Sequence, residues 1–489
     1  MNTLTAQAET GPWEGRIYSN GWRAGNAGTR EVREPATGQI LTECGVASPH
    51  DVATAAKAAK AAQLHWAAMP FEERAKILRS IGRLVEERAD HIARWIIRET
   101  GSVMPKARFE LSIAIGGLRE AAAMLTQPQG LVLPSDAGRM SFARRIPHGV
   151  VGVISPFNSP VALSMRAIAP ALACGNAVVT KPDLQTPVTG GFLMAEIFEE
   201  AGLPDGLFHV LPGDAEAGEA LCLDPNINMV SFTGSTATGR RVGELCGRTL
   251  KKVSLELGGK SSLIILDDAD LDVAASNAAW GAWLHQGQIC MTAGRLLVQK
   301  SLIPGFVERM IAKANKLKVG NPNTRQVALG PMINQKQVTR IHSIVEASVR
   351  AGARLHAGGK HEGLFYQPTV LEGVKRGMPA WDEEMFGPVA AITPFETDDD
   401  AVAMACDTSY GLSLGVISRN LPRAMALARR IPTGLLHIND QPVHDEAHIP
   451  FGGVGASGNG GRHGGPANWE EFSQWQWLTV KEQATPYPF

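Results

Sequence analysis

Two residues with the chemistry of a nucleophile and a base stand at the ends of one stretch in the middle of the chain. Glu256 begins the run ELGGK (256–260), and Cys290 ends the run GQIC (287–290). A thiol attacks electrophilic carbon as a thiolate, and a nearby carboxylate can serve as the general base. The glycines that flank both residues make a functional role easier to support than the residue types alone would. The stretch therefore predicts a thiol nucleophile and a base that the fold brings together.

Each of these residues also has an ordinary interpretation. An unplaced cysteine such as Cys290 is more often buried and inert, and Glu256 could be a strand-end carboxylate in a surface ion pair. Asn158, a third polar residue of interest, could be a turn residue that caps the next helix. Residue types alone leave these alternatives open.

Composition limits the class of protein. The chain has 489 residues, 44% hydrophobic and 19% charged, with a net charge of −1, which predicts two or three domains of an ordinary globular protein. The charge balance argues against a nucleic-acid partner, and no apolar run is long enough to cross a membrane. The first residues, from Met1 to Ala6, lack the features of a secretory signal. Six scattered cysteines without a CxxC pair argue against disulfides and a metal site and favour a cytoplasmic location.

The first part of the chain reads as short strands followed by helices. We expect strands and turns up to about residue 50, and then a helix from Val52 to Trp66 capped by Asp51. One amphipathic helix is predicted from Phe71 to Thr100 and another from Lys106 to Leu125. The run from Met140 to Ile146 alternates like an edge strand.

From Gly149 the pattern becomes strand, helix, strand, which predicts a doubly wound, mostly parallel sheet. The predicted strands are 150–154, 177–180, 208–211, 229–232 and 252–257; the helices are 162–173, 187–200 and 215–222. Ligands bind at the carboxyl ends of such strands. The segments 155–158, 181–183, 212–214 and 233–235 should therefore meet in one crevice.

A second α/β region is predicted from about 258 to 450. Its strands are expected at 262–266, 296–299, 369–371, 390–394, 414–417 and 436–439, and its helices at 271–284, 303–318, 334–351, 397–406 and 421–430. The tail from Glu470 to Lys481 alternates like a strand. With the 140–146 strand, it is predicted to form an oligomerisation flap.

Two generic nucleotide-binding signatures fail. A Walker A loop before Gly259-Lys260-Ser261 lacks its first glycine, and the GSTATG run (234–239) has only its terminal glycines. A glycine-led turn into a helix still offers backbone N–H groups to a pyrophosphate, although an ordinary tight turn would look the same.

Seven motifs in order resemble the NAD(P)-dependent aldehyde dehydrogenase superfamily over nearly the whole chain. Finer detail, KPD (181–183), HINDQ (437–441) and HDE (444–446), resembles its benzaldehyde (aromatic aldehyde) dehydrogenase group, near the salicylaldehyde and vanillin enzymes. The seven motifs are PFN (156–158), KP (181–182), FTGS (232–235), ELGGK (256–260), GQIC (287–290), EEMFGP (383–388) and PFGG (450–453).

The resemblance implies a fold, a division of the chain and an assembly. The fold is α/β, with a Rossmann-like cofactor domain (1–125 and 148–257), an α/β catalytic domain (258–456) and a small β oligomerisation flap (126–147 and 457–489). A homodimer or homotetramer is implied. The partner is a small-molecule aldehyde.

The resemblance also implies the catalytic roles. Cys290 would attack the aldehyde carbon, and the Asn158 side chain with the Cys290 N–H would hold the oxyanion. Glu256 would activate the water that hydrolyses the thioester.

NAD is the implied cofactor. Lys181 would bind the adenosine ribose, Glu384 the nicotinamide ribose, and Phe386 would pack beside the ring. Glu384 could instead be a solvated acid and Phe386 a core aromatic. The implied contacts are Ile154, Ser155, Pro156, Phe157, Lys181, Asp183, Gly213, Phe232, Gly234, Ser235, Thr236, Ala237, Thr238, Gly239, Leu257, Glu384 and Phe386.

One departure from the family concerns NADP. Many NAD-preferring members carry Glu three residues after this lysine, where this chain has Leu184. Its loss removes a barrier to NADP unless Asp183 turns inward. The hypothesis is NAD as main cofactor, with NADP accepted.

The resemblance places apolar residues near the aldehyde: Leu163, Leu284, Ile289, Met291 and Phe451. They suit an aromatic ring. Arg166 either faces the pocket mouth or is a solvated helix cation, and without a deep cationic clamp a carboxylated semialdehyde fits less well. Besides a benzaldehyde-like substrate, the alternatives are a salicylaldehyde- or vanillin-type dehydrogenase, an aliphatic or semialdehyde dehydrogenase, a redox-independent thiol hydrolase or acyltransferase, and a non-enzymatic use of the fold.

Overall fold

The structure is a computed structural model that describes residues 11–489. The prediction about a secretory signal, and the start of the predicted cofactor domain, fall on residues 1–10 and lie outside the described residues.

The strands are short and are distributed along the whole described chain. In chain order they are β1 (Arg16–Tyr18), β2 (Trp22–Ala24), β3 (Thr29–Arg33), β4 (Ile40–Gly45), β5 (Gly130–Leu133), β6 (Arg139–Pro147), β7 (Val150–Ile154), β8 (Ala177–Lys181), β9 (Phe208–Val210), β10 (Met229–Thr233), β11 (Lys252–Glu256), β12 (Ser261–Ile265), β13 (Ala293–Gln299), β14 (Arg354–Ala357), β15 (His361–Glu362), β16 (Phe365–Tyr366), β17 (Thr369–Glu372), β18 (Val389–Phe395), β19 (Tyr410–Gly411), β20 (Ser413–Ile417), β21 (Leu435–Ile438), β22 (Val454–Gly455) and β23 (Ser473–Lys481).

The helices alternate with strands from α5 to α8. They are α1 (Pro49–Ala68), α2 (Phe71–Glu87), α3 (Ala89–Thr100), α4 (Met104–Met124), α5 (Pro160–Ala173), α6 (Leu193–Glu200), α7 (Ala215–Leu223), α8 (Thr236–Arg248), α9 (Leu271–Trp283), α10 (Ile303–Lys316), α11 (Gln335–Arg350), α12 (Pro379–Asp382), α13 (Asp398–Cys406), α14 (Leu421–Ala428) and α15 (Ala467–Phe472). A π-helical turn (Val188–Phe192) precedes α6, and a 3₁₀ turn (Leu284–Gly287) follows α9.

The first large sheet has the strand order β11-β10-β7-β8-β9-β1-β2. The five strands from β11 to β9 are parallel, as their continuous apolar runs predict, and β1 and β2 are antiparallel additions at one side. A second seven-stranded sheet has the order β14-β17-β18-β13-β12-β20-β21 and is parallel except at β14. The predicted α/β fold class is confirmed.

A smaller antiparallel sheet has the order β23-β6-β5. Strands β6 and β23 pair over their full length, from Ser473 opposite Pro147 to Lys481 opposite Arg139. The 140–146 run and the tail thus share one sheet, and the oligomerisation role expected of them stays a prediction.

The apolar core follows the two large sheets. One core lies around the first sheet and includes Trp469 and Phe472 from α15. Two others pack around the second sheet, and a small cluster surrounds Met291 and Phe451. The three-part division of the chain given above stays a prediction.

Three details of the predicted elements are wrong. The helix from Phe71 to Thr100 is two helices that meet at Arg88, where ψ is 10°. The apolar periodicity continues across this bend, so sequence could not reveal it. Ser48, rather than Asp51, is the N-cap of α1; Asp51 completes a capping box by accepting the Ser48 N–H.

The third error lies in the tail. Residues 470–472 belong to α15 instead of the strand, because the buried Phe472 ring joins the first core and its carbonyl accepts from the Asn176 side chain. The strand begins only at Ser473.

Candidate active site

Four strands of the first sheet bring the predicted polar segments to one edge. Thr233 at the end of β10 lies opposite Glu256 at the end of β11, and Ile154 at the end of β7 lies opposite both Lys181 and Phe232. The segments after these strands therefore share the carboxyl edge, and Gly213 follows the neighbouring strand β9. The predicted crevice is present.

Glu256 is a buried carboxyl group. It is only 3% exposed, and neither of its carboxyl oxygens finds a hydrogen-bond partner anywhere in residues 11–489. Burial is the main cause that raises its pKa well above 4.5, and the Arg166 charge opposes the shift. The surface ion-pair interpretation is therefore wrong. A carboxyl group buried in this way becomes a strong base once it ionises, because its pKa is raised.

Cys290 is half-buried and lies against an apolar cluster. A side chain at Gly259 would overlap its carbonyl oxygen, so the glycine of the ELGGK run permits the close approach. Burial raises the pKa of the thiol to about 12, Arg166 lowers it, and Glu384 and Glu256 raise it further. The Cys290 thiol and the Glu256 carboxyl group are thus close enough to interact electrostatically.

Asn158 is buried, and its side chain is already directed at the cysteine loop. Its Nδ2 donates to the carbonyl oxygen of Gln288 at 2.9 Å, two residues before Cys290. The helix that follows has Ser159 as its N-cap, so the capping interpretation of Asn158 is wrong. The structure brings Asn158, Cys290 and Glu256 into one neighbourhood.

The turn from β10 into α8 contains a group of predicted cofactor contacts. The Ser235 side chain accepts from the Thr238 N–H at 3.3 Å and caps the helix, and the Thr236 hydroxyl donates to Ala456 at 3.0 Å. Side chains at Gly234 and Gly239 would overlap Phe232 and Leu257, respectively. Ala237 lies exposed in the first helical turn. The N–H groups of Thr236 and Ala237 make no hydrogen bond to described residues and remain available to an anion.

The ends of β7, β8 and β9 hold the second group. The half-buried Lys181 ammonium group has no hydrogen-bond partner within the described chain; burial lowers its pKa, and Asp183 and Asp214 oppose this. Asp183 accepts from the Gln185 N–H at 2.8 Å, so its carboxylate is engaged in its own turn. A side chain at Gly213 would overlap Ala217.

The segment after β7 is less uniform. The Ser155 hydroxyl accepts from Ser164 at 2.8 Å, so it is occupied by helix α5. Pro156 and Phe157 are half-buried beside it.

A loop of the second half of the chain closes over this edge. The Glu384 Oε1 atom accepts from the Gly259 N–H at 3.1 Å, and the Phe386 ring meets Phe157 edge to face at 6.0 Å. Arg340 holds the loop by donating to the Glu384 carbonyl at 2.6 Å. Burial raises the pKa of Glu384, which the Gly259 hydrogen bond opposes. Glu384 is thus no freely solvated acid, and the half-buried Phe386, with φ of 51°, is no core aromatic.

Four of the five predicted substrate residues gather at Cys290. Met291 and Phe451 belong to its apolar cluster, and Leu284 and Ile289 pack against it. Leu163 is buried on α5 and is not part of this cluster.

A cleft beside the cluster runs between α4, α5 and the segment before Phe451. Its apolar lining includes Ile113, Met165 and Ala447, which the sequence analysis did not single out. Only the helical spacing of apolar residues on α4 and α5 could have indicated Ile113 and Met165. Residues of the core have the same spacing.

Arg166 lies in the wall of this cleft. Its guanidinium group pairs with the Asp445 carboxylate and lies 4.0 Å over the Phe451 ring. Both side chains are nearly buried, so the solvated-cation interpretation is wrong. The Asp445 carboxylate is therefore the ion-pair partner of Arg166.

Residues 11–489 contain neither a candidate membrane span nor a candidate metal site. No helix there is long and apolar enough to cross a membrane, and no group of three or more His, Cys, Asp or Glu side chains is arranged to hold a metal ion.

Comparisons with known proteins identify the family of this chain. The model of the aldehyde dehydrogenase family matches residues 22–478. The chain is 54% identical to vanillin dehydrogenase of an Amycolatopsis species and 50% identical to the NAD(+) benzaldehyde dehydrogenase of Pseudomonas putida, each over 98% of both chains. A salicylaldehyde dehydrogenase from Pseudomonas putida G7, solved with salicylaldehyde, superimposes with a TM-score of 0.93 at 35% identity, covering 97% of this chain and 99% of that one.

The chain belongs to the aldehyde dehydrogenase family. The predicted resemblance and the predicted aldehyde dehydrogenase fold are confirmed.

Proposed function

We propose that this aldehyde dehydrogenase oxidises aromatic aldehydes of the benzaldehyde and vanillin type to their carboxylic acids, with NAD⁺ as oxidant. The observation that carries the proposal is the half-buried Cys290 thiol, which lies against an apolar cluster and near the unpartnered Glu256 carboxyl group. The relatives named for vanillin and benzaldehyde support the substrate class, as does a cleft wall built from Phe451, Ile113 and Met165.

The proposal gives a catalytic role to each of three side chains. The Cys290 sulfur adds to the aldehyde carbon and forms a thiohemiacetal, whose oxyanion the Asn158 amide and the Cys290 N–H stabilise. Loss of a hydride from this carbon leaves a thioester on Cys290, and bound NAD⁺ would supply the hydride acceptor. Glu256 then removes a proton from the water that hydrolyses the thioester, which frees the thiol and releases the acid.

The residues at the strand edge fit a dinucleotide. The free N–H groups at the start of α8 suit a pyrophosphate, and the Lys181 ammonium group without a partner suits ribose hydroxyls. Glu384 and Phe386 would hold the nicotinamide half. The other predicted contacts line the same turns, and we keep them as part of the proposal.

NADP is proposed as a second, less favoured oxidant. Leu184 carries no charge, and the Asp183 carboxylate is bound to Gln185. Leu184 therefore sets no electrostatic barrier against a 2′-phosphate, and the charged Asp183 carboxylate, held in its own turn, leaves NADP⁺ the less favoured oxidant.

The assembly and location are proposed as well. We infer a cytoplasmic homodimer or homotetramer in which the β23-β6-β5 sheet forms subunit contacts. Support comes from its exposed apolar side chains, Trp477, Val132, Leu131 and Met140.

The test is the appearance of reduced nicotinamide with purified protein and a panel of benzaldehyde, vanillin, an aliphatic aldehyde and succinic semialdehyde. We expect the highest kcat/KM with the aromatic aldehydes. Cys290→Ala should abolish turnover, whereas Cys406→Ala, which removes an exposed cysteine, should not. Preference for succinic semialdehyde would overturn the substrate class, and full activity of Cys290→Ala would overturn the mechanism.

A further inference from the structure

A buried ion pair on α4 contacts Asn158, whose amide is proposed to stabilise the oxyanion. The Lys106 Nζ atom is 2.6 Å from Glu110 Oε2, and the two side chains are 3% and 1% exposed. Burying two charges is costly, and apolar residues of similar size often serve stability equally well. The contacts that the pair makes are therefore a better guide to its role than its net contribution to the free energy of unfolding.

Glu110 caps a helix other than its own. Its Oε1 atom accepts from the Val161 N–H at 2.8 Å and lies 3.4 Å from the Ala162 nitrogen, at the start of α5. Ser159, the N-cap of α5, contributes no side-chain cap in the described structure. The Glu110 carboxylate thus accepts hydrogen bonds from N–H groups in the first turn of α5, and its negative charge interacts favourably with the dipole of that helix.

Lys106 holds the residue that carries the amide. Its ammonium group donates to the Asn158 carbonyl oxygen at 2.6 Å while remaining bound to Glu110. The Asn158 side chain continues the chain of contacts to Gln288 and hence to the Cys290 loop. One ion pair therefore fixes the backbone on both sides of Ser159.

We propose that Lys106 and Glu110 are positioning residues for the Asn158 amide in the oxidation step. This inference rests on the proposed function, in which that amide stabilises the oxyanion. A donor must lie within a few tenths of an ångström of its productive position to act in the transition state, and the pair supplies this constraint through the Asn158 backbone.

The first experiment compares Lys106→Met and Glu110→Gln with a matched control. Glu99→Gln is the control, because Glu99 is another fully buried carboxyl group that caps backbone N–H groups, those of Val188 and Thr189, without contacting Asn158. We expect Lys106→Met and Glu110→Gln to lower the single-turnover rate of nicotinamide reduction by about 10- to 100-fold. The NAD⁺ dissociation constant from tryptophan quenching should stay within about twofold of wild type. Glu99→Gln should keep the wild-type rate.

A double-mutant cycle separates positioning from general damage. Asn158→Ala removes the amide but keeps the carbonyl that Lys106 binds, and it should lower the rate by about 100- to 1000-fold. If Lys106 acts through that amide, Lys106→Met should cost no more than about threefold in the Asn158→Ala background. If Lys106→Met does not fold, the same cycle is made with Glu110→Gln.

The outcomes distinguish this inference from the function on which it rests. Full additivity in the cycle, or wild-type rates for folded Lys106→Met and Glu110→Gln, would overturn the positioning role and leave the aldehyde oxidation intact. A wild-type rate for Asn158→Ala would overturn the oxyanion role itself, and the positioning role with it.

Discussion

The Glu256 carboxyl group and the Cys290 thiol both have raised pKa values, so burial favours the protonated state of each, whereas the deprotonated state is the one that reacts. Burial favours the neutral carboxylic acid and the neutral thiol, and the nearby Arg166 only partly offsets this. The base is consequently strong when it ionises, and the thiol needs help to ionise. Activity should therefore depend on pH through both groups.

Glu256→Gln should remove the dependence of thioester hydrolysis on a base. Below its raised pKa, Glu256 is protonated and cannot accept a proton, so the wild-type kcat should fall as the pH falls. The variant should lose about 10²- to 10⁴-fold in kcat, and its kcat should not fall further as the pH falls through the pKa of Glu256. The measurement is kcat from about pH 5 to about pH 10, with the pre-steady-state burst. A wild-type profile in the variant would exclude Glu256 as the base.

Glu256→Gln should also stabilise the fold at alkaline pH. The pKa of Glu256 is raised in the folded state, so the native protein retains a proton that the unfolded chain has lost above pH 4.5. Wild-type stability contributed by this group is therefore complete below pH 4.5 and declines as pH rises through the folded pKa. Thermal unfolding near pH 8 should occur about 1–3 °C higher in the variant. The gain should vanish near pH 4, and the exposed control Glu87→Gln should show none at either pH.

Leu184→Glu should make the enzyme more selective for NAD⁺. The new carboxylate would lie three residues after Lys181, where it can bind ribose hydroxyls but repels a 2′-phosphate. We expect kcat/KM with NADP⁺ to fall about tenfold or more and that with NAD⁺ to change less than about threefold. Leu184→Gln matches the size without the charge and should keep NADP⁺ use. Equal losses in both variants would contradict the electrostatic argument.

At the scale of elements, sequence predicted the strand edge on which the candidate site lies, because periodicity and strand order are local and geometric. The continuous apolar runs of β7 and β10 fixed their type, and parallel strands necessarily end at one edge. The bend at Arg88 and the Glu110 cap of α5 were beyond prediction. The bend leaves the apolar pattern unchanged, and the cap joins residues more than fifty positions apart.

The same limit applies to the site. The motifs indicated Cys290 and Glu256, but the Arg166–Asp445 pair depends on a contact 279 residues apart that no local pattern encodes. The cleft residues Ile113 and Met165 look like any core-facing helical positions. Long-range partnership is what the single sequence does not reveal.

Gly258→Ala should disturb the loop that closes over the strand edge. A methyl group there would overlap the Glu384 carboxylate, which would have to leave its hydrogen bond to Gly259. We expect KM for NAD⁺ to rise about tenfold with little change in the rate at which an alkylating reagent modifies Cys290. Gly247→Ala is the control, since a side chain there meets open space. An unchanged KM would show that Glu384 is not needed for cofactor binding.

At the scale of the whole molecule, the β23-β6-β5 sheet leaves apolar side chains outside every core. Trp477 is 70% and Val132 81% exposed. Such a patch is typical of a surface that another subunit covers. The subunit arrangement proposed above depends on it.

The double variant Val132→Glu/Trp477→Glu should dissociate the assembly, because burying two carboxylates in an apolar contact is strongly unfavourable. Light scattering after gel filtration should give the mass of a smaller species. Leu64→Glu, which adds a charge at a 67% exposed residue of α1, should keep the wild-type mass. An unchanged mass for the double variant would place the subunit contacts elsewhere.

The pairing of β6 with β23 also bears on how the protein is made. Arg144 and Gln476, neighbours in this pairing, are 332 residues apart. At about 5–20 residues per second, a ribosome needs roughly 17–66 seconds to travel from one to the other. During that interval one edge of β6 lacks its native partner and can pair with other nascent chains. We therefore expect yield in cells to depend on chaperone supply and translation speed more than the stability of the finished enzyme would suggest.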